Sequence, residues 1–276
     1  MKSARFEYAR PSSSSEAITL VKQGAGLGKP LAGGQSLGPM MNLRLAQPDL
    51  LVDLRAILSL RETHVEEDAV VLGACTTHAA IEDGHVADAT RGMMPYVAHD
   101  IAYRAVRNRG TIGGSLAHAD PAADWINVMA VLDAQFLVAG PAGARSVSSS
   151  DWMLGAFTTA LAEDEILTGV RIPMLSPSAR WSYYKFNRKT GEFAEAIAAF
   201  VDDPKRGVRR GLIGAIDGAP HVITDAAPLI DRWDDAFAAS QLEAARLVPG
   251  TYEYQIHAEA LIRAARMLSG PDARTL

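Results

Sequence analysis

Short apolar runs and amphipathic stripes alternate along the first two thirds of the chain. Residues 48–54 (PDLLVDL) and 69–72 are continuous apolar runs, which predict buried strands. Residues 16–23 follow a serine run and end before Gly24, a pattern that predicts a short helix with a serine cap. The pattern also predicts helices at residues 79–83, 94–107 and 121–134 and strands at residues 136–139 and 165–172. Helices and strands thus occur together, which predicts an α+β protein.

A segment with two prolines at residues 173–177 separates these elements from a second group. We interpret it as a linker between two domains, at residues 1–174 and 178–276. In the second domain the pattern predicts strands at residues 181–187, 194–201 and 208–216 and helices at residues 240–247 and 253–268. The second domain is therefore expected to be a small α+β unit with a three-stranded sheet and two helices.

The most informative stretch is RGTIGGSLAHADPAAD at residues 109–124, which contains two adjacent glycines. Glycine lacks a Cβ atom, so its backbone N–H group can approach a ligand closely. Asp120 as an N-cap and Pro121 at the first helical position predict that a helix begins after the glycines. Phosphate binds well at such a helix start, where unpaired N–H groups and the positive end of the helix dipole meet. Asp124 would repel phosphate, so it is expected to accept hydrogen bonds from hydroxyl groups.

A second pair of adjacent glycines lies in AGGQSLGP at residues 32–39, followed by Gln35 and Ser36. A turn of this kind can present consecutive N–H groups as an anion-binding nest, to which the Ser36 hydroxyl adds a donor. Each glycine pair alone is also compatible with an ordinary turn. Together they favour a diphosphate that bridges two subdomains. Neither pair has the Gly-Lys-Ser/Thr sequence of a Walker loop, so triphosphate hydrolysis is not expected.

Composition and charge narrow the class of protein. With 276 residues, 48% of them hydrophobic and 21% charged, and a net charge of −5, the chain has an ordinary globular composition and no expected nucleic-acid partner. No apolar run has the length of a membrane span and the N-terminus lacks the core of a signal peptide, so we expect a cytoplasmic protein. The single cysteine, Cys75, cannot build a disulfide framework or an iron–sulfur cluster. The seven histidines have no metal-ligand spacing, so no metal site is expected.

The two glycine stretches and their surroundings resemble the FAD-binding medium subunit of molybdenum hydroxylases, the family of xanthine dehydrogenase and carbon monoxide dehydrogenase. AGGQSLGPMMNLRL followed by PDLLVDL resembles the first FAD loop of this family, and RNRGTIGGSLAHADPAADW resembles the second, at the usual separation. EILTGVRIP and YYKFNRKTGEFA resemble the strand ends that close over the flavin. The similarity covers nearly the whole chain.

The resemblance implies an α+β fold of the vanillyl-alcohol-oxidase/PCMH type, with FAD-binding subdomains at about residues 1–55 and 56–174. A C-terminal domain of the CO dehydrogenase flavoprotein type would follow. The implied cofactor is non-covalent FAD, held by Ala32, Gly33, Gly34, Gln35, Ser36, Leu37, Gly38, Pro39, Thr111, Ile112, Gly113, Gly114 and Ser115, with further contacts from Ile101, Asp124, Leu167 and Lys185. Lys185 could stabilise negative charge on the reduced flavin ring. From the residues alone, Lys185 is a solvated strand lysine and Asp124 a surface acid on a helix.

By the same resemblance the chain is an oxidoreductase subunit that transfers electrons and has no catalytic residue of its own. Substrate would be hydroxylated at a molybdopterin centre on a large subunit, and [2Fe–2S] clusters on a small subunit would pass the electrons to FAD held here. A dimer of heterotrimers is implied. Two alternatives remain open at this point: a stand-alone flavin oxidase of the vanillyl-alcohol type, and a non-catalytic nucleotide-binding scaffold subunit.

Overall fold

The first part of the chain forms a three-stranded parallel sheet in the computed structural model, which describes residues 2–24 and 26–269. Its elements are the strands β1 (Glu7–Ala9), β2 (Gly28–Leu31) and β3 (Leu50–Asp53), the helices α1 (Ser14–Gln23) and α2 (Leu37–Asn42), and 3₁₀ turns at Leu54–Ala56 and Leu58–Arg61. Strand β3 lies between β1 and β2, and Leu31 at the end of β2 pairs with Asp53 at the end of β3. The residues that follow these two strands therefore lie at the same edge of the sheet.

The second part is built on a five-stranded antiparallel sheet. Its strands are β4 (Thr63–Val65), β5 (Ala69–Gly73), β6 (Gln135–Gly140), β7 (Gly143–Ser148) and β10 (Ile166–Pro173), with a separate hairpin of β8 (Met153–Gly155) and β9 (Thr158–Thr159). The spatial order is β4-β5-β10-β6-β7. The helices are α3 (His78–Glu82), α4 (Met93–His99), α5 (Arg104–Arg107), α6 (Ile112–His118), α7 (Asp124–Leu132) and α8 (Ser149–Trp152). Trp125, Phe136 and Trp152 are fully buried in the core of this part.

The C-terminal part is an antiparallel sheet covered by helices. Its elements are β11 (Arg180–Phe186), β12 (Ala196–Asp203), β13 (Val208–Gly214), β14 (His221–Ile223), α9 (Ala227–Ile230), α10 (Asp235–Ala244) and α11 (Tyr252–Ser269). The strands follow one another in sequence order. The sheet therefore has four strands and not the three predicted. The fourth strand, β14, has only three residues at the sheet edge, which is too short for a recognisable alternating pattern.

Two helix predictions in the second part are wrong. Residues 94–107 form two helices, α4 and α5, because the chain reverses between them with Ala102 at a positive φ of 46°. The helix predicted to begin at Pro121 begins instead at Asp124, with Ala123 as its N-cap. Asp120 forms a turn in which its carboxylate accepts a hydrogen bond from Ala122 N–H at 2.9 Å.

Helix α7 is buried along its whole length, because it packs between its own sheet and the C-terminal sheet. Asn127 of this helix is fully buried, and its Nδ2 donates to the carbonyl oxygens of Pro121 (3.0 Å) and Ala123 (2.9 Å). On the C-terminal sheet, Gly214 faces Asn127 so closely that a Cβ atom on Gly214 would lie 2.6 Å from Asn127 Cγ. A side chain at position 214 has no room at this contact.

We expect Gly214→Ala to lower the free energy of unfolding by about 1–3 kcal/mol, the usual cost of overpacking a well-filled interior. Denaturant unfolding of the full chain measures the loss. As a control, Asn127→Ala in the Gly214→Ala chain removes the obstructing side chain, so the two substitutions together should cost less than the sum of the single ones. Strict additivity of the two losses would contradict the contact.

Candidate functional site

The two predicted glycine pairs meet in space, although they belong to different parts of the fold and lie some 80 residues apart in the sequence. A Cβ atom on Gly33 would lie 2.6 Å from Gly110 Cα and closer still to the Arg109 carbonyl oxygen. A Cβ atom on Gly114 would lie 3.3 Å from the Cβ of Ala32. Only glycine permits this approach of backbone to backbone. The hypothesis that both stretches contribute to one site is therefore supported by their geometry.

The first glycine loop follows β2 and leads into α2. Gly34 has a φ of +72°, the left-handed conformation that favours glycine, and the Gln35 side-chain amide donates to the Gly33 carbonyl at 3.1 Å. Within the described residues, the backbone N–H groups at positions 34–37 have no hydrogen-bond partner, and the Ser36 hydroxyl does not cap α2. Consecutive free N–H groups at the start of a helix form a nest for an anion.

The second glycine loop differs from the prediction, since Gly113 and Gly114 lie inside the first turn of helix α6 and not before a helix. Thr111 is the N-cap of α6, and its hydroxyl accepts from Gly114 N–H at 3.0 Å. The N–H groups of Ile112, Gly113 and Ser115 donate to the carbonyl oxygens of Thr76, Ala74 and Thr111, respectively, at 2.9–3.0 Å. All four donors thus have protein acceptors. The second loop therefore allows the close contact between the two loops, while the free N–H donors belong to the first loop.

A cleft of about 320 Å³ opens beside the first loop, and of the second glycine stretch Arg109 lines it while residues 111–115 do not. Five of the predicted cofactor-binding residues of the first loop line it, whereas Ser36, Leu37 and Pro39 are not among the lining residues. The described lining contains two arginines and no acidic residue. Its members are Ser3, Phe6, Leu31, Ala32, Gly33, Gly34, Gln35, Gly38, Met41, Asn42, Leu51, Arg55 and Arg109. The cleft thus combines apolar side chains, free backbone donors and positive charge, which suits a nucleotide phosphate.

Arg55 is held in this cleft by a buried acid. Asp53, which is 1% exposed, accepts from Arg55 Nε at 2.9 Å and from Arg55 Nη2 at 2.6 Å, and it also accepts from the Tyr8 hydroxyl. These hydrogen bonds outweigh burial and lower the pKa of Asp53 to about 2. The Arg55 guanidinium therefore has a fixed orientation at the carboxyl edge of the parallel sheet.

Asp124 and Lys185 form a second charged group, between the second and C-terminal parts of the chain. Lys185 Nζ on β11 lies 2.9 Å from Asp124 Oδ2, and the Tyr183 hydroxyl donates to Asp124 Oδ1 at 2.7 Å. The side chains of Asp124 and Lys185 are only 5% and 7% exposed. Burial raises the pKa of Asp124, and the lysine and tyrosine act against that rise. Neither residue is the solvated surface group that its local sequence suggests.

The loop that carries Ile101 adjoins this ion pair, since Lys185 Nζ lies 3.4 Å from the Asp100 carbonyl oxygen. Buried Arg107 holds the loop by donating from Nη1 to the carbonyl oxygens of Ile101 and Ala102, both at 3.1 Å. The other side of its guanidinium is paired with Glu82 at 2.7 and 2.9 Å. Half-buried Ile101 thus has a fixed backbone beside Lys185.

Leu167 lies in β10, a strand that contacts helix α6. It is 4% exposed in β10, next to a bulge between Leu167 and Gly169, and it packs in the core of the second part. Its contact with a cofactor stays a prediction. Cys75 is also buried, and burial raises the pKa of its thiol to about 11. Among the described residues, no group of three or more His, Cys, Asp or Glu side chains could hold a metal ion.

His78 contacts the second loop and holds its backbone. Its backbone N–H donates to the Gly110 carbonyl at 3.0 Å, and its Nδ1 accepts from the Trp125 indole at 2.9 Å. The indole is only a donor, so His78 Nδ1 carries no proton. Burial, helped by the positive charge of Arg107, lowers the pKa of His78 to about 4. The second loop therefore packs against a neutral imidazole.

We expect His78 to make the fold sensitive to acid. Its pKa is about 6.5 in an unfolded chain and about 4 in the folded one, so the unfolded state binds more protons between these values. Stability is complete above about pH 6.5 and falls as the pH drops, by about 3 kcal/mol at pH 4. Urea unfolding between pH 7.5 and 4 measures the loss.

The matched control for this titration is His78→Gln, because a glutamine oxygen can accept from Trp125 but does not titrate. Its stability should change little between about pH 6.5 and 4.5. Asp53 and Glu82, whose pKa values are lowered by their arginine partners, contribute to the pH dependence of stability only at lower pH. Equal slopes for the two chains in this window would contradict the role of His78.

Sequence reasoning missed several residues of the site. Arg55 and Arg109 line the cleft, and Tyr183 completes the Asp124 ion pair. A weak signal exists for Arg55, which follows Asp53 by two residues directly after a predicted strand. At this spacing the Asp53 carboxylate can accept hydrogen bonds from both the backbone N–H and the side chain of Arg55. No local signal exists for Tyr183, since its partner lies 59 residues away.

Comparison with known protein families decides the interpretation of this site. Residues 4–175 match the family model described as the FAD binding domain in molybdopterin dehydrogenase. The chain belongs to this family. The carbon monoxide dehydrogenase medium chain of Hydrogenophaga pseudoflava is 40% identical over 197 residues, which are 71% of this chain and 69% of that protein. The nicotine 6-hydroxylase medium subunit of Paenarthrobacter nicotinovorans is 38% identical over 201 residues, 73% and 70% of the two chains.

Solved structures agree over the whole length. Carbon monoxide dehydrogenase from Hydrogenophaga pseudoflava, in a form lacking the Mo-pyranopterin moiety, matches with a TM-score of 0.87 and 31% identity and covers 98% of this chain and 99% of its own. Quinoline 2-oxidoreductase from Pseudomonas putida 86 matches with a TM-score of 0.86 and 32% identity, at 99% and 100% coverage. The predicted fold class, FAD as cofactor and the identity as an oxidoreductase medium subunit are thereby confirmed. None of the described helices is long and apolar enough to cross a membrane.

Proposed function

We propose that this chain holds FAD between its two glycine loops and passes electrons from iron–sulfur clusters on a small subunit to an external acceptor. The clusters would be reduced by a molybdopterin centre on a large subunit. The observation that carries the proposal is the meeting of the two loops at a cleft with free N–H groups, two arginines and no acid among its described residues. Medium subunits of multisubunit dehydrogenases among the relatives support it.

The residues of the cleft fit an FAD diphosphate. The first loop leaves free N–H donors at residues 34–37, and glycine at positions 33 and 114 lets the two loops pack directly against each other. We assign the anion donors to this first loop. To the second loop we assign the close packing against the first loop, because the N–H groups of residues 112–115 are already used.

Bound FAD supplies one-electron and two-electron redox chemistry, and the protein positions and tunes it. Lys185, Asp124, Leu167 and the Ile101 backbone are proposed as the flavin end of the site. The positive charge of Lys185 would favour added negative charge in its neighbourhood, while Asp124 limits that effect by pairing with it. Buried Cys75, with its raised pKa, is a poor nucleophile for a covalent link, which supports non-covalent binding.

The organisation of the holoenzyme is part of the same proposal. We propose a dimer of heterotrimers in the cytoplasm, built from this chain, an iron–sulfur subunit and a molybdopterin subunit. The domain limits, residues 1–174 and 178–276, are proposed from the break between β10 and β11.

Native purification of the chain tests the proposal. We expect it to copurify with two other subunits, identified by mass spectrometry, and to show flavin absorbance that is released on denaturation. Electrons from the substrate of the large subunit should then bleach the flavin. A colourless chain that purifies alone in its native host would contradict the proposal.

The stand-alone oxidase is less well supported by the charged groups of the site. Such an enzyme needs a free acid or base beside the flavin. Asp124, the buried acid of the site, already accepts from Tyr183 and Lys185. Substrate turnover by the isolated chain would favour the oxidase.

A further inference from the structure

We propose that Arg55 is a further cofactor-binding residue, which donates from its guanidinium to a phosphate in the adenylate half of the dinucleotide. This inference rests on the proposed FAD function. It assigns a direction to the cofactor, with the adenylate half against the parallel sheet and the flavin half near Lys185.

Arg55 is preorganised for binding at the cleft. Asp53 fixes one edge of its guanidinium through two hydrogen bonds, at 2.9 Å from Nε to Oδ1 and 2.6 Å from Nη2 to Oδ2. Asp53 is itself held by the Tyr8 hydroxyl and is 1% exposed. Within the described residues, Nη1 of Arg55 has no hydrogen-bond partner, and the side chain is 34% exposed at the cleft. A fixed donor that faces a cleft loses little entropy when a ligand binds it.

The cleft also carries positive charge. Arg109 also lines it and forms no side-chain hydrogen bond or ion pair to any described residue. The chain as a whole carries a net charge of −5, yet no acidic residue appears in the described lining. Arg109 therefore gives the cleft an uncompensated positive charge, and Arg55, whose charge is balanced by Asp53, adds a free N–H donor; both favour an anionic ligand.

The two halves of the cofactor would meet different surroundings in the protein. The apolar lining of the cleft includes Leu51 in β3, Phe6 just before β1 and Met41 in α2. Lys185 and Asp124, the proposed flavin contacts, do not line this cleft. An apolar wall beside a fixed arginine suits an aromatic base followed by a phosphate. The flavin half then extends past the glycine loops towards the ion pair.

The test compares FAD with FMN, which lacks the adenylate half but keeps the flavin and one phosphate. The deflavinated full chain is titrated with each, and binding is followed by quenching of flavin fluorescence. We expect Arg55→Gln to weaken FAD binding by about 10- to 100-fold, because a charge-assisted hydrogen bond is lost. FMN binding should stay within about twofold. Arg55→Lys keeps the positive charge but lacks the planar set of guanidinium donors, so its FAD affinity should fall less than that of Arg55→Gln.

Arg61→Gln is the matched control, since Arg61 is exposed on the adjacent 3₁₀ turn, carries the same charge and does not line the cleft. It should change neither affinity. A purely structural role of Arg55 would weaken FAD and FMN equally, and that result would overturn the inference. If Arg55→Gln does not fold, the FAD-to-FMN ratio of Arg55→Lys decides, and an unchanged ratio overturns it. Failure of the unmodified chain to bind FAD would instead refute the proposed function.

Discussion

Gly33→Ala is expected to weaken the binding of FAD to the chain. The added Cβ atom would lie 2.6 Å from Gly110 Cα and closer to the Arg109 carbonyl oxygen. Both are backbone atoms, so no side-chain rotation can relieve the overlap and the two loops must separate. An overlap of this kind costs about 1–3 kcal/mol, which corresponds to a loss of FAD affinity of about 5- to 150-fold. Flavin absorbance per chain after gel filtration, and titration of the deflavinated chain, measure the loss.

The matched control for Gly33→Ala is Gly155→Ala. Gly155 lies in β8, has no atom within 4 Å of an added Cβ and has no positive φ. This chain should keep its flavin and its melting temperature. If Gly33→Ala also kept its full flavin content, the two loops could not form the walls of one cofactor site.

The glycine pairs could be predicted from the sequence because their signal is local. Adjacent glycines allow close backbone approach wherever they occur, and the first pair forms the expected nest of free N–H groups. The helix start near the second pair was predicted wrongly because two cap signals compete there. Asp120-Pro121 has the stronger signature, yet Thr111 caps a helix whose glycines lower its apparent helix propensity.

The charged contacts could not be predicted, because they join residues that are far apart in the chain. Lys185 on β11 meets Asp124 on α7 across 61 residues of sequence, and from their neighbours both residues resemble solvated surface groups. Their burial follows from the packing of α7 between these sheets, which only tertiary structure defines. Arg55 is intermediate, since its partner Asp53 is local while the cleft that it faces is not.

Lys185→Met is expected to destabilise the fold and to lower the reduction potential of the flavin. The substitution leaves the Asp124 carboxylate buried with Tyr183 as its remaining side-chain donor. Removing one partner of a buried ion pair costs about 3–5 kcal/mol. The potential should fall because a positive charge near the flavin is lost. Denaturant unfolding measures the first effect, and anaerobic titration with a reference dye measures the second.

Asp124→Asn separates the two effects, because it removes the opposite charge from the same ion pair. It leaves Lys185 unpaired, so it should also destabilise the fold, but the flavin potential should rise. In the double variant Asp124→Asn/Lys185→Met no buried charge remains unpaired, so the loss of stability should be smaller than the sum of the single losses. Its potential should return towards that of the unmodified chain. Shifts of the same sign in both single variants would show that packing, and not charge, controls the potential, and the proposed place of Lys185 at the flavin end of the site would be wrong.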